Sequence, residues 1–263
     1  MPGLHFTVDA NVATLVIDNP PQNRLSTEML ADFAAAVRKM GSDPDLRAVL
    51  VRADGPDFSF GGDISTWLEL EPQQMRENIA GFVQMSNAFE QLPVPVVVAV
   101  HGKCMGGGFE LALRADVIVA ADNAVFAHSE QTIGLVTLLG GIQRVAERAG
   151  RTRAMRWALT SELVPAKEML AAGVVTDVVA AADLDSATRA WVTRLANGPT
   201  QAHVGHKRML NAWASGGIAA ADQLIPELTE RLMKTDDARR GIASAQEALR
   251  KGVPRPTLDF KGR

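Results

Sequence analysis

Hydrophobic and polar residues alternate with two different periods along this chain, and each period predicts one type of secondary structure. Positions 5–19 (HFTVDANVATLVIDN) alternate residue by residue on both sides of a turn at 9–11, which predicts a hairpin. From Met29 to Met40 apolar residues recur every three or four positions, which predicts a helix with one buried face. Ser26 is the expected N-cap of this helix because its hydroxyl can accept a hydrogen bond from a free backbone N–H.

Three runs rich in apolar residues predict further strands. They are LRAVLVRA (46–53), VPVVVAV (94–100) and DVIVAADNAVFAHSE (116–130). Segments with helical spacing separate or follow them, including a long helix expected at about 72–92. Strands that alternate with helices through most of the chain indicate an α/β layered core.

The pattern becomes helical only beyond Gly198-Pro199, with an apolar stripe that runs from Ile218 to Leu232. This stripe can pack against neighbouring subunits or back on the chain's own core, and the pattern leaves both open. We expect an α/β core with the functional site at residues 1–197 and a helical oligomerisation region at residues 198–263.

The composition is that of an ordinary globular protein, with 47% apolar and 22% charged residues. No apolar run approaches the roughly 20 residues that span a bilayer, and the first residues lack signal-peptide features. A single cysteine, Cys104, fits a reducing compartment, so we expect a cytoplasmic protein without membrane contact. The net charge of −3 argues against nucleic-acid binding. The basic end from Arg231 to Arg263 is either a solvated surface or a help in holding an anionic ligand.

Several common site motifs are missing from the sequence. Leu111 stands where a dinucleotide fingerprint that starts at Gly106 and Gly108 needs its third glycine. The sequence has no P-loop, no G-x-S-x-G elbow and no H-E-x-x-H motif. His203 and His206 could share a helix face, but we expect an exposed pair without a metal ion.

Two glycine-rich turns, FSFGGDI (58–64) and MGGGFEL (105–111), each follow an expected strand. Both can present free backbone N–H groups at one sheet edge, because the first N–H groups of a helix have no partner inside it. Two such groups that converge would form an oxyanion hole for a thioester carbonyl that becomes an enolate. Either run alone is better explained by backbone geometry and packing.

Two glutamates favour a functional role for these turns over a role in packing alone. Glu110 follows the second glycine run and Glu130 comes later, and both are flanked by apolar residues. A carboxylate in such surroundings is costly when unpaired, and its pKa rises. Two carboxylates in one pocket with different environments are a common means of general acid/base chemistry near neutral pH.

These residues resemble the enoyl-CoA hydratase/isomerase (crotonase) superfamily, and the resemblance covers nearly the whole chain. The blocks that carry it are NPPQNRLSTEML, FSFGGDI, GKCMGGGFELALRAD, FAHSEQTIGLVTLLGGIQRV and the ending KGVPRPTLDFKGR. The resemblance implies an α/β spiral of repeated ββα units, with a C-terminal helical region that forms trimers, often paired into hexamers. It also implies an acyl-CoA thioester as substrate, with no metal and no cofactor apart from the coenzyme A of that substrate.

The resemblance also assigns roles to individual residues. The backbone N–H groups of Gly62 and Gly107 would form the oxyanion hole. Glu110 would help to activate the water that adds at C3 of an enoyl-CoA, and Glu130 would supply the proton to C2. The residues implied for binding of substrate and CoA are Arg24, Phe60, Gly62, Asp63, Ile64, Ser65 and Gly107, with a structural rather than catalytic role expected for the Asp63 side chain.

Hydration of a trans-2-enoyl-CoA is therefore the leading hypothesis, because both glutamates are present. Double-bond isomerisation or another enolate-based reaction that relies mainly on Glu130 is the alternative. A non-catalytic acyl-CoA binder is a third possibility, since Ser129 stands where the family usually has proline. Thr137 and Leu138 lie where the family's second proline is expected, and Phe60 replaces a small residue. The bulky residues Trp67, Met105, Leu138 and Leu139 could line an acyl pocket or belong to the core.

Overall fold

The computed structural model describes residues 3–263, which form two β-sheets surrounded by helices. The strands are β1 (Gly3–Asp9), β2 (Val12–Asp18), β3 (Ala48–Ala53), β4 (Val96–Val100), β5 (Lys103–Met105), β6 (Val117–Ala121), β7 (Val125–Ala127), β8 (Val164–Pro165) and β9 (Asp177–Val179). The helices are α1 (Thr27–Ser42), α2 (Pro72–Glu90), α3 (Gly107–Ala112), α4 (Gly141–Ala149), α5 (Arg151–Thr160), α6 (Ala166–Ala171), α7 (Leu184–Ala196), α8 (Thr200–Asp222), α9 (Ile225–Met233) and α10 (Asp236–Lys251). Short 3-10 helices lie at Trp67–Glu69, Glu130–Ile133 and Ala181–Asp183.

The larger sheet has the order β1-β2-β3-β4-β6-β9 and is parallel except for the hairpin of β1 and β2. The smaller sheet has the order β5-β7-β8. Strands β4 and β6 of the larger sheet are each followed by a strand of the smaller sheet and then by helical structure. This repeat of two strands and a helix confirms the expected α/β architecture.

The first two elements confirm the predictions made from their local pattern. Ala10 and Asn11 connect β1 to β2 with φ of 45° and 67°, so the turn lies at the predicted place. The Ser26 hydroxyl accepts a hydrogen bond from the Met29 N–H at 3.3 Å, which makes Ser26 the N-cap of α1. The long helix expected at about 72–92 is α2.

The expected strand at 116–130 was wrong in its extent. A turn after β6 sends the chain into the smaller sheet, where β7 begins at Val125, and Glu130 lies in a 3-10 helix. Every residue of β4 and β6 is buried because helices cover both faces of the larger sheet. α7 covers the face that presents Val97 and Val119, which places the site on the other side.

The helical end departs from the predicted continuous stripe. Within α8 the backbone is kinked at Gly217, where φ is 74°, and a new helix begins at Ile225. The change from α8 to α9 interrupts the stripe between Ala221 and Ile225, and of its members Leu228 is buried while Ile218 is 70% exposed. The division of the chain at residue 197 stays a prediction.

Arg47 joins the core to the helical end. Its guanidinium donates to the Thr200 hydroxyl and the Gly198 carbonyl, both at 2.6 Å. The buried Asp237 carboxylate accepts hydrogen bonds from the N–H groups of Lys261 and Gly262 at 2.7 and 2.6 Å. The last residues of the basic segment are thus held against the protein. None of the helices within residues 3–263 combines the length and apolarity needed to cross a membrane.

Candidate active site

One apolar cavity of about 240 Å³ contains most of the residues expected at the site. Its apolar lining consists of Leu25, Leu30, Phe60, Ile64, Trp67, Ile79, Phe82, Met105, Ile133, Leu135, Leu138 and Leu139. The four bulky residues whose position the sequence left open, Trp67, Met105, Leu138 and Leu139, are all among them. Gly62, Gly107, Glu110 and Glu130 lie on the same cavity.

The backbone N–H groups of Gly62 and Gly107 are unpaired within residues 3–263. Gly107 is the first residue of α3, where a helix offers no internal acceptor. A Cβ atom placed on Gly107 would lie 3.5 Å from the Gly62 nitrogen, so a side chain there would fill the space between the two turns. Two backbone N–H groups without a partner among the described residues therefore lie close together on the cavity.

Gly61 shows how closely the two turns approach each other. Its φ is 91°, and a Cβ there would lie 2.9 Å from the Gly107 nitrogen and 3.0 Å from the Met105 oxygen. Such distances leave no room for a side chain, so backbone packing requires glycine at position 61. Leu25 fixes the same turn by donating its N–H to the Gly61 carbonyl at 2.8 Å.

Glu110 is held by the backbone that leads into α4. Its Oε1 accepts the N–H groups of Leu139 and Gly141 at 2.8 and 2.9 Å, and its Oε2 accepts the N–H of Leu138 at 3.3 Å. The side chain is only 1% exposed. Burial raises the pKa of Glu110, and the three hydrogen bonds oppose that rise.

Glu130 lies in a different environment. Its Oε2 is buried and has no hydrogen-bond partner within the described residues. Burial, together with the nearby charge of Glu110, raises the pKa of Glu130 to about 8. Gly106 provides the space for this side chain, because a Cβ there would lie 3.3 Å from Oε1 of Glu130 and 2.8 Å from the Ser129 hydroxyl.

Two arginines behind the cavity were missed by sequence reasoning. Arg114 donates to the Leu139 carbonyl, and Arg144 donates to the Gly140 carbonyl at 3.0 Å. Glu90 of α2 accepts hydrogen bonds from both guanidinium groups. The signal was weak because each residue alone resembles an ordinary charged position on a helix, and only the fold brings them together.

The remaining expected binding residues lie around the turn at 60–65. Arg24 donates to the Gly62 carbonyl at 3.2 Å, and the Lys103 ammonium lies 5.1 Å from the centre of the Phe60 ring. Ser65 does not line the cavity, and its N–H donates to the Asp63 carboxylate at 3.0 Å. This hydrogen bond, together with the charge of Arg24, lowers the pKa of Asp63. Asp63 therefore stabilises the turn, and Ile64 lies on the cavity wall.

The histidines at positions 128, 203 and 206 do not line the cavity. His128 is buried against the Phe109 ring, with 4.9 Å between ring centres, and burial lowers its pKa to about 4. His203 is half-buried rather than exposed because it packs against Gly198, whereas His206 is exposed. Residues 3–263 contain no group of three or more potential metal ligands, and the absence of a metal ion from the site stays a prediction.

Comparison with known proteins agrees with this geometry. Residues 7–254 match the family described as Enoyl-CoA hydratase/isomerase. The chain belongs to the enoyl-CoA hydratase/isomerase family. The resemblance carried by the glycine turns and the two glutamates is thereby confirmed at the level of the family.

Relatives within the enoyl-CoA hydratase/isomerase family carry related names. The Mycobacterium tuberculosis protein named "Probable enoyl-CoA hydratase EchA17" is 31% identical over 218 residues, which cover 83% of this chain and 80% of the relative. The carnitinyl-CoA dehydratase of Proteus mirabilis is 28% identical over 243 residues, which cover 90% of this chain and 93% of the relative. These names establish a common family and leave the reaction of this member to be proposed.

Solved structures of the family confirm the fold. An enoyl-CoA hydratase from Mycobacterium smegmatis matches with a TM-score of 0.88 at 27% identity, covering 99% of this chain and 100% of that one. An enoyl-CoA hydratase from Bacillus anthracis matches with a TM-score of 0.88 at 23% identity, with the same coverage. The crotonase-type α/β architecture with a helical C-terminal region is therefore the architecture of this chain.

Proposed function

We propose that this protein is an enoyl-CoA hydratase, which adds water across the 2,3 double bond of an enoyl-CoA thioester. One observation carries the proposal: two carboxyl groups with different environments lie on the same cavity as two unpaired backbone N–H groups. General acid/base chemistry next to an oxyanion hole needs this combination.

The oxyanion hole in this proposal consists of the N–H groups of Gly62 and Gly107. The thioester oxygen accepts hydrogen bonds from both, which draws electron density away from C3 and stabilises the enolate that forms. These donors belong to rigid, close-packed turns, so they need little rearrangement as charge develops. The apolar lining excludes water from the carbonyl and strengthens both hydrogen bonds.

The two carboxyl groups act on opposite protons. Glu130 is protonated near neutral pH because its pKa is raised to about 8, so it holds the proton that C2 receives. Within residues 3–263, Oε2 of Glu110 accepts one long hydrogen bond, from the Leu138 N–H, which leaves a lone pair for the attacking water. Water gives one proton to Glu110 as its oxygen bonds to C3, and Glu130 gives one proton to C2. Transfer of a proton between the two glutamates then restores the starting state.

The substrate in this proposal brings its own coenzyme A, and the reaction uses no metal or redox cofactor. The cavity lining is predominantly apolar, which supports an aliphatic acyl group. Arg24 and Lys103 place positive charge near the turn at 60–65, on the side where the polar CoA moiety would leave the cavity.

We also propose that the protein assembles as a homotrimer or hexamer and works in the cytoplasm. The helical end leaves large apolar side chains exposed, including Leu210, Trp213 and Ile218. A groove of about 1200 Å³ runs between α8 and the core. Exposed apolar surface of this kind is typical of faces that other subunits cover, which favours packing against neighbours over packing on the chain's own core.

Paired variants test the reaction. Glu110→Gln and Glu130→Gln should each lower kcat for the hydration of crotonyl-CoA by about 100-fold or more, because each removes one proton transfer. Binding of the saturated butyryl-CoA, measured by calorimetry, should change little. Glu77→Gln, an exposed glutamate on α2, is the matched control and should behave like the wild type.

The same measurements separate the alternatives. An isomerase should retain most of its activity in Glu110→Gln and lose it in Glu130→Gln, with a 3-enoyl-CoA as the substrate. A non-catalytic binder should take up butyryl-CoA but turn over no short, medium or aromatic enoyl-CoA. Full hydratase activity in either glutamine variant would contradict the proposed function.

A further inference from the structure

We propose that Arg114 is a positioning residue that, with Arg144 and Glu90, holds the backbone at residues 138–141 so that Glu110 works as the base. Arg114 does not line the cavity, and it acts through the backbone that binds Glu110. The inference rests on the proposed function and extends it from the reacting carboxylates to the residues that distinguish them.

The backbone of residues 138–141 lies between Glu110 and the two arginines and makes hydrogen bonds to both sides. The peptide group between Gly140 and Gly141 donates its N–H to Glu110 at 2.9 Å, while its carbonyl accepts a hydrogen bond from Arg144 at 3.0 Å. Leu139 gives its N–H to Glu110 and its carbonyl to Arg114. Each of these residues is thus held by the carboxylate on one side and by a guanidinium on the other.

Glu90 fixes the two guanidinium groups in place. Its carboxylate accepts from Arg144 Nε at 2.7 Å and from Arg114 at 3.0 Å, and Asn87 accepts from Arg114 at 2.6 Å. The Arg114 side chain is only 2% exposed, so its direction is set by these partners and not by solvent. Burial raises the pKa of Glu90, but the charges of the two arginines outweigh it and lower the pKa.

Gly140 shows how tightly the arginines pack on this backbone. Its φ is 85°, and a Cβ there would lie 2.5 Å from an Arg144 nitrogen and 3.3 Å from an Arg114 nitrogen. The guanidinium groups therefore occupy the space where a side chain would stand. The double glycine of the sequence provides room for a cation behind Glu110.

The electrostatic consequence follows from the groups that face Glu110. They are the acid Glu130 from the 3-10 helix, His128 from the end of β7, Arg114 from the end of α3 and Arg144 from α4. A nearby positive charge, transmitted through aligned peptide groups, favours the ionised form of a carboxyl group. Glu130 has no comparable support at its Oε2, so the arginines act on one glutamate of the pair.

Arg114→Met tests this role. Loss of the cation raises the pKa of Glu110, which must be ionised to act as a base, so the acid limb of kcat/KM for crotonyl-CoA should move up by about one pH unit. We expect kcat to fall about tenfold, as for other residues that orient a catalytic group, while KM stays within about twofold. Arg114→Lys should give an intermediate profile because one ammonium cannot bridge all the partners.

Arg148→Met is the matched control. Arg148 is a half-buried arginine of α4, and it donates to the carbonyls of Leu113 and Ala115 rather than to residues 138–141. Arg148→Met should lower the melting temperature without moving the acid limb of the kcat/KM profile. A second readout needs no turnover: the carboxyl carbon of Glu110, labelled with 13C and assigned with Glu110→Gln, should titrate at higher pH in Arg114→Met.

The outcomes separate the inference from the proposed function. A shifted Glu110 titration supports the role of Arg114 even if the wild type hydrates no enoyl-CoA, which would contradict only the proposed function. An unshifted titration in a folded Arg114→Met or Arg114→Lys protein would overturn the inference, whatever the activity. The same holds if Arg148→Met shifts the titration as far as Arg114→Met.

Discussion

The backbone around Glu110 and the turn that carries Glu130 line the same cavity, but they differ in the hydrogen bonds that they give to the two carboxyl groups. Glu110 receives three backbone N–H groups, and two arginines hold the backbone behind them. Oε2 of Glu130 is buried without a partner, at the start of a short 3-10 helix whose following residues are exposed. Identical side chains thus lie in different surroundings: the backbone of residues 138–141 forms a cradle of hydrogen bonds around Glu110, and Oε2 of Glu130 receives none from the described residues.

The difference explains how glutamate can serve as an acid at one position and as a base at another. Burial raises the pKa of both groups, but several backbone hydrogen bonds oppose the rise at Glu110, whereas the charge of Glu110 adds to the rise at Glu130. Burial and the charge of Glu110 together therefore favour the protonated form of Glu130. Three substitutions test this difference between the two glutamates.

The largest effect is expected from Gly141→Ala, which disturbs the cradle. The new Cβ would lie 2.7 Å from Cε1 of His128 and 2.8 Å from Cγ of Glu110, in a fully buried place. We expect kcat to fall by about 100-fold because Glu110 is displaced. The free energy of unfolding should fall by about 1–3 kcal/mol because the core is overpacked.

Gly81→Ala is the control for that substitution. Gly81 lies in α2, and a Cβ there would meet no heavy atom within 4 Å. The alanine should raise the free energy of unfolding by about 0.5–1 kcal/mol and leave kcat unchanged. Activity in Gly141→Ala equal to that of Gly81→Ala would show that the cradle is dispensable.

A smaller effect is expected in the pH dependence of stability. The pKa of Glu130 is raised from 4.5 to about 8 in the native state, so native protein keeps a proton that unfolded protein releases between these values. Stability contributed by this group is therefore lost as pH rises through that window. Glu130→Gln should gain stability relative to wild type from pH 4.5 to 8, by about 1–3 kcal/mol at the upper end.

Urea unfolding at several pH values measures this difference. Glu77→Gln should follow the wild type at every pH because its carboxyl is exposed. A constant difference between Glu130→Gln and wild type would mean that the native and unfolded proteins hold the Glu130 proton equally.

The smallest effect is expected from Ser129→Pro, which restores the residue usual in the family. Neither the N–H nor the hydroxyl of Ser129 donates a hydrogen bond within residues 3–263, and its φ of −92° is near the range of proline. We expect kcat within about twofold and a gain of about 0.5 kcal/mol from the stiffer unfolded chain. A large loss of activity would show that the turn needs the freedom of serine.

Local patterns predicted the fold well where local physics decides it. The N-cap at Ser26, the hairpin turn at Ala10 and Asn11, and the start of α2 at Pro72 each depend on neighbours in the chain. The stripe from Ile218 to Leu232 is divided between two helices, because α8 ends at Asp222 and α9 begins at Ile225. Periodicity does not reveal this break, since apolar residues keep their spacing of three or four positions across it.

Of the candidate site, only residues that line the cavity could be predicted from the sequence. Glycine runs and apolar-flanked glutamates are visible in the sequence, and the fold brings all four of Gly62, Gly107, Glu110 and Glu130 to one cavity. Arg114 could not be found this way, because its partners lie on α2 and before α4, and only tertiary structure joins them. Whether the four residues carry the proposed reaction stays a prediction.

The strand order of the larger sheet has a consequence for how the chain is made. Reading β1-β2-β3-β4-β6-β9 across the sheet is reading them in the order of synthesis, so each new strand can add to the edge left by the previous one. Synthesis starts at the N-terminus, so the strands of this sheet become available one after another. Residues 138–141 leave the ribosome after β4 and β6 have been made. We therefore expect the cradle of Glu110 to close on an existing sheet, as one of the late steps of folding.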